Sequence, residues 1–265
     1  MSNVMKKVLP VITAVVLASG TAFAAHPLAT DDTGTQGKGK FQLEVVGEYT
    51  NDSEGSGADK VRENDGSLES VFSAGLIDNA DLVLAVPYEW SRTKIGGVVD
   101  GDTDGLGDVA LELKWRFFRK EGFSLALKPS VTLPSGNVNK GLGSGKVGYG
   151  ATFIASHEFD PFAVHVNLGY AHSEFDLQED KEANRRDIWS ASVAGTAEVM
   201  EGLQLVANVG FETNGDKESD TPPVFFIGGA IYSLTDYLDL DLGFKVGLTK
   251  PEADFGALAG VAVRF

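Results

Sequence analysis

Three aspartates alternate with other residues in the segment 100–105, which reads DGDTDG. Closely spaced carboxylates are the ligands that Ca²⁺ prefers, and helix–loop–helix calcium sites carry acids at positions one, three and five with glycine at six. Such a site also needs a glutamate at position twelve, but here Glu112 comes one residue too late. Asp100, Asp102 and Asp104 are therefore a weak calcium candidate, and an acidic surface loop is the favoured interpretation.

Two pairs of adjacent residues, Ser156-His157 and His172-Ser173, combine the side chains of a nucleophile and a base. Nucleophilic catalysis requires these two side chains to lie within hydrogen-bond reach of each other. Both pairs fall in or beside strand-like segments, where neighbouring side chains point to opposite faces of the sheet. The sequence therefore predicts no enzyme, and a hydrolase is kept as the alternative.

Charged and amide side chains recur at every second position in several apolar segments, for example in residues 108–117. Side chains at alternate positions of a strand share one face, so these polar groups would face one interior. Inside a barrel they either form the constriction of a water-filled pore or pair with one another in a closed interior, and the sequence leaves both open. The predicted lumen residues are Glu89, Asp108, Glu112, Lys114, Arg116, Lys128, His165, Asn167, Asp239, Asp241, Lys245 and Arg264.

The elements that must position these side chains are strands. Apolar and polar residues alternate in about twelve segments of residues 40–265, with the period of a half-buried strand. Residues 188–199 and 224–232 are ambiguous, so roughly ten to fourteen strands are allowed. The pattern predicts an all-β protein, a closed antiparallel up-and-down transmembrane β-barrel whose apolar face meets lipid.

The connections alternate between short turns and longer polar segments, which is typical of outer-membrane barrels. The longer outer loops are predicted at 51–66, 92–106, 134–146, 173–187, 212–222 and 248–254. Aromatic residues fall near both predicted strand ends, as Trp90 and Trp189 do at the outer end and Trp115 and Phe265 at the periplasmic end. This distribution indicates two interfacial girdles.

The N-terminus carries the pattern of a secretory signal peptide. Two lysines precede an apolar stretch and a small-residue end, Ala22-Phe23-Ala24, so cleavage is predicted between Ala24 and Ala25. The expected organisation is a signal peptide over 1–24, a periplasmic N-terminal segment over 25–39 and a β-barrel over 40–265. The predicted location is the outer membrane of a Gram-negative bacterium.

Composition excludes several classes of protein. The formal net charge of −16 argues against nucleic-acid binding, which needs basic patches. The chain contains no cysteine, so neither disulfides nor a lipid anchor on cysteine contribute to its structure. No nucleotide-binding or metal-binding motif is complete, and no cofactor is predicted.

Several glycine- and proline-rich motifs resemble those of a known family. They are Gly105-Leu106-Gly107-Asp108, Leu111-Glu112-Leu113-Lys114, Lys128-Pro129, Leu133-Pro134-Ser135-Gly136 and the segment 26–33, HPLATDDT. With these motifs, most of the mature chain resembles the outer-membrane transporter family named for the "MetA-pathway of phenol degradation". The resemblance implies an outer-membrane barrel and suggests the passage of small compounds, aromatic ones among them. It assigns no functional residues.

The predicted function is therefore passive passage of small solutes, aromatic or hydrophobic ones included, through an outer-membrane channel. The alternatives are an outer-membrane barrel enzyme acting on lipids and a non-conducting structural barrel. Expected partners are outer-membrane lipid and lipopolysaccharide, the solute, and the barrel-assembly machinery, which would engage Phe265 at the end of the last predicted strand.

Overall fold

The computed structural model of the protein describes residues 26–265, most of which lie in thirteen β-strand segments. The first seven are β1 (Phe41–Glu54), β2 (Val61–Ile77), β3 (Ala80–Ile95), β4 (Val98–Leu106), β5 (Val109–Lys120), β6 (Phe123–Leu133) and β7 (Gly148–Phe159). The remaining six are β8 (Phe162–His172), β9 (Asp187–Met200), β10 (Leu203–Glu212), β11 (Val224–Thr235), β12 (Leu238–Gly247) and β13 (Phe255–Arg264). The connections contain one α-helix, α1 (Gln178–Ala183), and 3-10 turns at Gly57–Asp59 and Val138–Lys140. Within residues 26–265, no helix has the length and apolar character needed to cross a membrane.

The strands form a closed antiparallel ring. Wall strands that follow one another in sequence are paired, and β1 pairs with β13 to complete the ring. β4 and β5 make one wall strand, because β4 pairs with the outer part of β3 and β5 pairs with its residues Ala80–Ala85. The thirteen segments in the described residues therefore form a 12-stranded barrel, which confirms the predicted fold class. At the seam, Phe41 and Phe265 exchange backbone hydrogen bonds of 2.8 and 2.9 Å.

Two hairpins, β1–β2 and β3–β4, are longer than the sequence predicts. Loops were expected at 51–66 and 92–106, but antiparallel pairing continues to Glu54↔Val61 and, past a register shift in β3–β4, to Ile95↔Val98. These two loop predictions are wrong in extent because both faces of the outer strand ends carry polar side chains. The alternation of apolar and polar residues therefore disappears from the sequence there, although the strands remain hydrogen-bonded to each other. The other long connections lie within a few residues of the predicted loops, at 134–147, 173–186, 213–223 and 248–254.

The outward face of the wall is apolar. Leu242 is 69% exposed and Leu168 54%, and they belong to a belt of exposed large apolar side chains around the barrel. Aromatic rings concentrate at its two ends. Phe41 stacks on Phe265 at the short-turn end, and Trp189 packs against an aromatic neighbour at the other. An apolar belt between two aromatic girdles is the surface that a bilayer requires.

Residues 26–36, named here the inner segment, run through the barrel interior. Residues 25–39 were expected to lie in the periplasm. Instead, Leu28, Asp31 and Thr33 lie inside the barrel, where each is at most 4% exposed. The expectation failed because a short polar segment has no periodicity that distinguishes a free tail from one paired with polar groups inside a barrel. The predicted signal peptide and its cleavage site at Ala24 and Ala25 lie outside the described residues.

Candidate channel lumen

The inner segment follows the inside of the wall from β12 to β3. His26 contacts Asp241 on β12, and Leu28 packs against β9 and β10. Further on, Asp31 reaches β5 and β6, and the backbone N–H of Gln36 donates to a carboxylate on β3 at 2.9 Å. The segment therefore crosses the interior in contact with most of the wall, in the half of the barrel nearer the short turns.

Glycines in the wall make room for the first residues of the inner segment. A Cβ at Gly243 would lie 2.8 Å from the Cβ of Pro27, and a Cβ at Gly229 would lie 2.6 Å from its Cγ. Contacts this short do not occur between real side chains, so only glycine allows the segment to approach the wall here. Leu28 then packs against Ala194 and Val206 in a small apolar cluster inside the barrel.

Asn208 on β10 binds the next part of the inner segment. Its side-chain oxygen accepts a hydrogen bond from the N–H of Ala29 at 2.8 Å, and its nitrogen donates to the hydroxyl of Thr30 at 2.7 Å. Thr30 in turn donates to Ser192 on β9 at 2.7 Å. A buried amide needs all its hydrogen-bonding groups satisfied, and here the segment supplies two of the partners.

The centre of the site is a buried ionic cluster around Asp31. One carboxylate oxygen lies 2.8 Å from the Nζ of Lys114, and the other lies 3.2 Å from the Nζ of Lys128. Lys128 also lies 3.1 Å from Glu112, and Lys114 lies 3.3 Å from Asp32 of the segment. Charges buried to this degree remain ionised only when they are paired, so the wall and the segment depend on each other for neutralisation.

Hydroxyl groups hold the following residue, Thr33. Its hydroxyl lies 2.5 Å from that of Ser124 on β6, and its N–H donates to the hydroxyl of Ser156 on β7 at 3.1 Å. Ser156 also lies 2.8 Å from the Nδ1 of His165 on β8. The structure therefore contains a serine–histidine contact that was not expected, because the two residues lie on neighbouring strands rather than side by side in sequence.

Little space remains beside the inner segment. The inward side chains of Val71, Ala126 and Ile154, on β2, β6 and β7, have no accessible surface. A cavity of about 10 Å³ remains beside Lys114, which is space for about one water molecule. Side chains without accessible surface cannot border an open pore, so no open passage runs beside these three residues.

All the predicted lumen residues face the barrel interior. Those less than 9% exposed are Asp108, Glu112, Lys114, Lys128, His165, Asn167, Asp239 and Asp241. Those half-buried on the same faces are Glu89, Arg116, Lys245 and Arg264. Their role as the lining of an open pore stays a prediction, and the inner segment occupies the lumen beside some of them.

These residues fall into separate groups rather than one constriction. Glu112, Lys114, Arg116 and Lys128 meet around the inner segment, where Arg116 donates to the carbonyl of Thr33 at 3.4 Å. The side-chain amide of Asn167, in the orientation that satisfies both of its atoms, binds the backbone of Asp31. Its nitrogen donates to the carbonyl of Asp31 at 2.9 Å, and its oxygen accepts from the N–H of Asp31 at 2.7 Å. The pairs elsewhere in the barrel are Asp239–Arg264, Lys245–Glu48 and Lys245–Glu252.

Asp108 fastens an outer loop to the wall. Its carboxylate accepts hydrogen bonds from the N–H of Gly136 (2.8 Å) and from the N–H and hydroxyl of Ser144 (2.9 and 3.2 Å). Ser135 adds a second link, because its hydroxyl donates to the carbonyl of Gly107 at 3.0 Å. The glycine-rich motif before β5 and the Leu-Pro-Ser-Gly motif after β6 therefore meet and hold the loop 134–147.

The outer loops are also tied to one another. Lys146 lies 2.7 Å from Asp176, and this hydrogen bond and charge hold the pKa of Asp176 below its ordinary value. The N–H of Asp176 also donates to the carbonyl of Ser144 at 2.9 Å. In the same loop as Asp176, Arg185 donates to the carbonyl of Ser219 at 2.8 Å. Loops 134–147, 173–186 and 213–223 thus form one connected assembly.

The weak calcium candidate does not form a loop site. Asp102 and Asp104 lie at alternate positions of the extended strand β4, and Asp100 lies at a register shift in the same strand, so the three carboxylates are spread along the strand. Asp102 pairs with Arg92 at 2.8 Å, and Asp104 accepts a hydrogen bond from Tyr88. In the part of the chain that the structure describes, no group of three or more His, Cys, Asp or Glu side chains could hold a metal ion.

Sequence reasoning missed the inner segment and its uncharged wall partners, Asn208, Ser192, Ser124 and Ser156. Two signals were present in β11 and β12. Inward positions carry glycine at Gly229 and Gly243, and β11 is apolar on its inward face as well, with Ile227 and Ile231. A water-filled lumen needs neither feature, whereas here the two glycines accommodate Pro27 and Ile231 packs against the cluster that contains Leu28.

The family described as "Putative MetA-pathway of phenol degradation" matches residues 30–265. The chain belongs to this family. The match includes most of the inner segment as well as the barrel, so both are parts of the family pattern. No curated protein matches the chain in sequence.

Solved structures with the same fold come from bacterial outer membranes. The COG4313 outer membrane channel from Pseudomonas putida F1 superposes with a TM-score of 0.70 at 18% identity, over 88% of this chain and 98% of that one. The NanC porin gives 0.54 at 11% identity, over 83% and 98%. The translocator domain of the autotransporter NalP from Neisseria meningitidis gives 0.53 at 12% identity, over 88% and 91%. The likeness is one of fold, that of an outer-membrane β-barrel.

Proposed function

We propose that this family member is an outer-membrane channel through which small compounds pass passively, and that the inner segment closes it in the conformation described. One observation carries the proposal. The lumen is occupied by a segment that forms no part of the wall, and this segment supplies both ion-pair partners of Lys114 and two hydrogen-bond partners of Asn208. Its displacement would open the lumen without breaking a single pairing of the barrel ladder.

The comparisons support the class of function and the class of solute. The Pseudomonas putida protein of the same fold is described as an outer membrane channel, and NanC as a porin. The family description refers to phenol degradation, which favours small aromatic compounds among the solutes. The apolar cluster around Leu28 and the ionic cluster around Asp31 lie side by side in the lumen, as an aromatic solute with one polar group would require.

We further propose that the protein is not an enzyme. A lipid-hydrolysing barrel needs a serine and a histidine in contact where lipid can reach them. The Ser156–His165 contact lies inside the barrel, where Ser156 is 1% exposed and binds the backbone of Thr33. Its geometry suits attachment of the inner segment rather than attack on an ester.

Single-channel recording and liposome swelling test the proposal. The refolded mature protein is compared with the double variant Asp31→Asn/Asp32→Asn, in which the inner segment loses both acidic partners of Lys114. We expect rare openings and slow swelling with a small sugar for the wild type, and frequent openings and fast swelling for the variant. If both proteins are folded, as heat-modifiable gel mobility would show, and neither conducts, the channel function is wrong.

A further inference from the structure

Lys114 depends on the inner segment for its charge balance. Within the described residues, its ion pairs are those with Asp31 at 2.8 Å and Asp32 at 3.3 Å, and both acids belong to the segment. Lys128 differs, because it also pairs with Glu112 of the wall. When the segment leaves, Lys114 becomes an inward-facing cation without its two ion-pair partners.

The groups beside Lys114 are arranged to receive an oxyanion. Arg116 lies two residues along β5, on the same inward face, and donates to a carbonyl of the inner segment. Asn167 on β8 binds the backbone of Asp31. The carboxylate of Asp31 itself lies between Lys114 at 2.8 Å and Lys128 at 3.2 Å, and two cations on one carboxylate form a typical carboxylate-binding arrangement, with Arg116 and Asn167 bound to the backbone beside it. The wall acids Glu112 and Asp81 also face this region and limit its total positive charge.

We propose that Lys114 is the binding site for the carboxylate of a small organic anion in the open channel, and that Asp31 occupies this site when the channel is closed. The proposal rests on the proposed channel function and adds a solute class to it. Exchange of one carboxylate for the other keeps the buried ammonium group paired throughout, which avoids the cost of an isolated buried charge. The channel then favours small carboxylates although the chain as a whole carries a formal charge of −16.

The neighbouring apolar cluster specifies the rest of the solute. Leu28, Ala194 and Val206 pack together inside the barrel, and the removal of Leu28 with the segment leaves an apolar surface on β9 and β10. A carboxylate attached to a small apolar or aromatic group matches the two surfaces together. Benzoate has this form, and benzyl alcohol is its neutral counterpart of similar size.

The test uses the full mature chain carrying Asp31→Asn/Asp32→Asn, with and without Lys114→Gln. We expect benzoate, but not benzyl alcohol, to reduce the chloride current of the double variant. Addition of Lys114→Gln should raise the benzoate concentration needed by about tenfold or more, as expected for the loss of a charged hydrogen-bond partner. Lys114→Arg should retain most of the effect. Equal benzoate dependence with and without Lys114→Gln would overturn the proposal while leaving the channel function intact.

Calorimetric titration in detergent gives a readout that does not depend on conduction. Benzoate should release heat on binding to the double variant and not to the triple variant with Lys114→Gln. Binding that depends on Lys114 in a protein that does not conduct would support the site and contradict the channel function. Absence of binding to a folded double variant would overturn the site.

Discussion

The ammonium nitrogen of Lys114 lies 2.8 Å from Oδ1 of Asp31, so a wall strand and the inner segment meet through a buried ion pair. The two side chains are 6% and 1% exposed. Removal of one partner from a buried pair costs about 3–5 kcal/mol, because the other charge is left uncompensated, whereas an exposed pair contributes about 1 kcal/mol or less. This pair is therefore a main attachment of the inner segment, and the closed state of the lumen depends on it.

Substitution of Asp31 should release the inner segment. Asp31→Asn removes the one carboxylate that pairs with both Lys114 and Lys128, while it preserves the size of the side chain. The release can be measured by maleimide labelling at Thr30→Cys, because Thr30 is 1% exposed and the chain has no other cysteine. We expect slow labelling of Thr30→Cys alone and much faster labelling when Asp31→Asn is added. Equal labelling rates would show that the ion pair does not hold the segment.

A methyl group at Gly243 should displace the N-terminal end of the inner segment from the wall. The added Cβ would lie 2.8 Å from the Cβ of Pro27, which has to move, whereas the same change at Gly195 finds its nearest atom at 4.0 Å. Gly243→Ala is expected to increase the open probability in planar bilayers, and Gly195→Ala is the matched control and should leave it unchanged. An equal open probability in both variants would contradict the contact between Pro27 and the wall.

Asp108 should control the order of the outer loop 134–147. Asp108→Ala leaves the donors of Gly136 and Ser144 without their charged acceptor, at a cost of about 1.5–3 kcal/mol for each charged hydrogen bond lost. We expect trypsin to cleave after Lys140 much faster in this variant. Asp100→Ala, which changes an exposed acid of β4, serves as the control. Unchanged cleavage in Asp108→Ala would mean that other contacts fix the loop.

The barrel could be predicted from the sequence because a lipid-facing wall imposes a strict period of two. In β5, apolar Leu111, Leu113 and Trp115 alternate with inward Glu112 and Lys114, and the structure places each of them on the expected face. The alternation of apolar and polar residues is lost where the strands no longer contact lipid. Beyond the bilayer, strand ends need no apolar face, so the outer ends of β1 to β4 looked like loops.

The occupant of the lumen could not be predicted in the same way. The inner segment has no regular secondary structure, and its contacts join Asp31 to Lys114 and Thr30 to Asn208, residues far apart in the chain. Alternation places Lys114 in the lumen but does not indicate whether water, a neighbouring acid or a distant segment neutralises it. The inward glycines of β11 and β12 and the apolar inward face of β11 were the signals that an occupant approaches the wall there.

A reversible covalent link between the inner segment and the wall tests the central claim most directly. The hydroxyl oxygens of Thr33 and Ser124 lie 2.5 Å apart, and the chain has no cysteine that would interfere with a disulfide between these positions. Thr33→Cys/Ser124→Cys is introduced into the Asp31→Asn/Asp32→Asn background, with Thr33→Cys alone as the control, and single-channel current is recorded before and after reduction. We expect the oxidised protein to be closed, the reduced protein to conduct, and the control to conduct under both conditions. A current that is the same in the oxidised and reduced protein, with the disulfide verified by thiol titration, would contradict closure of the lumen by the inner segment.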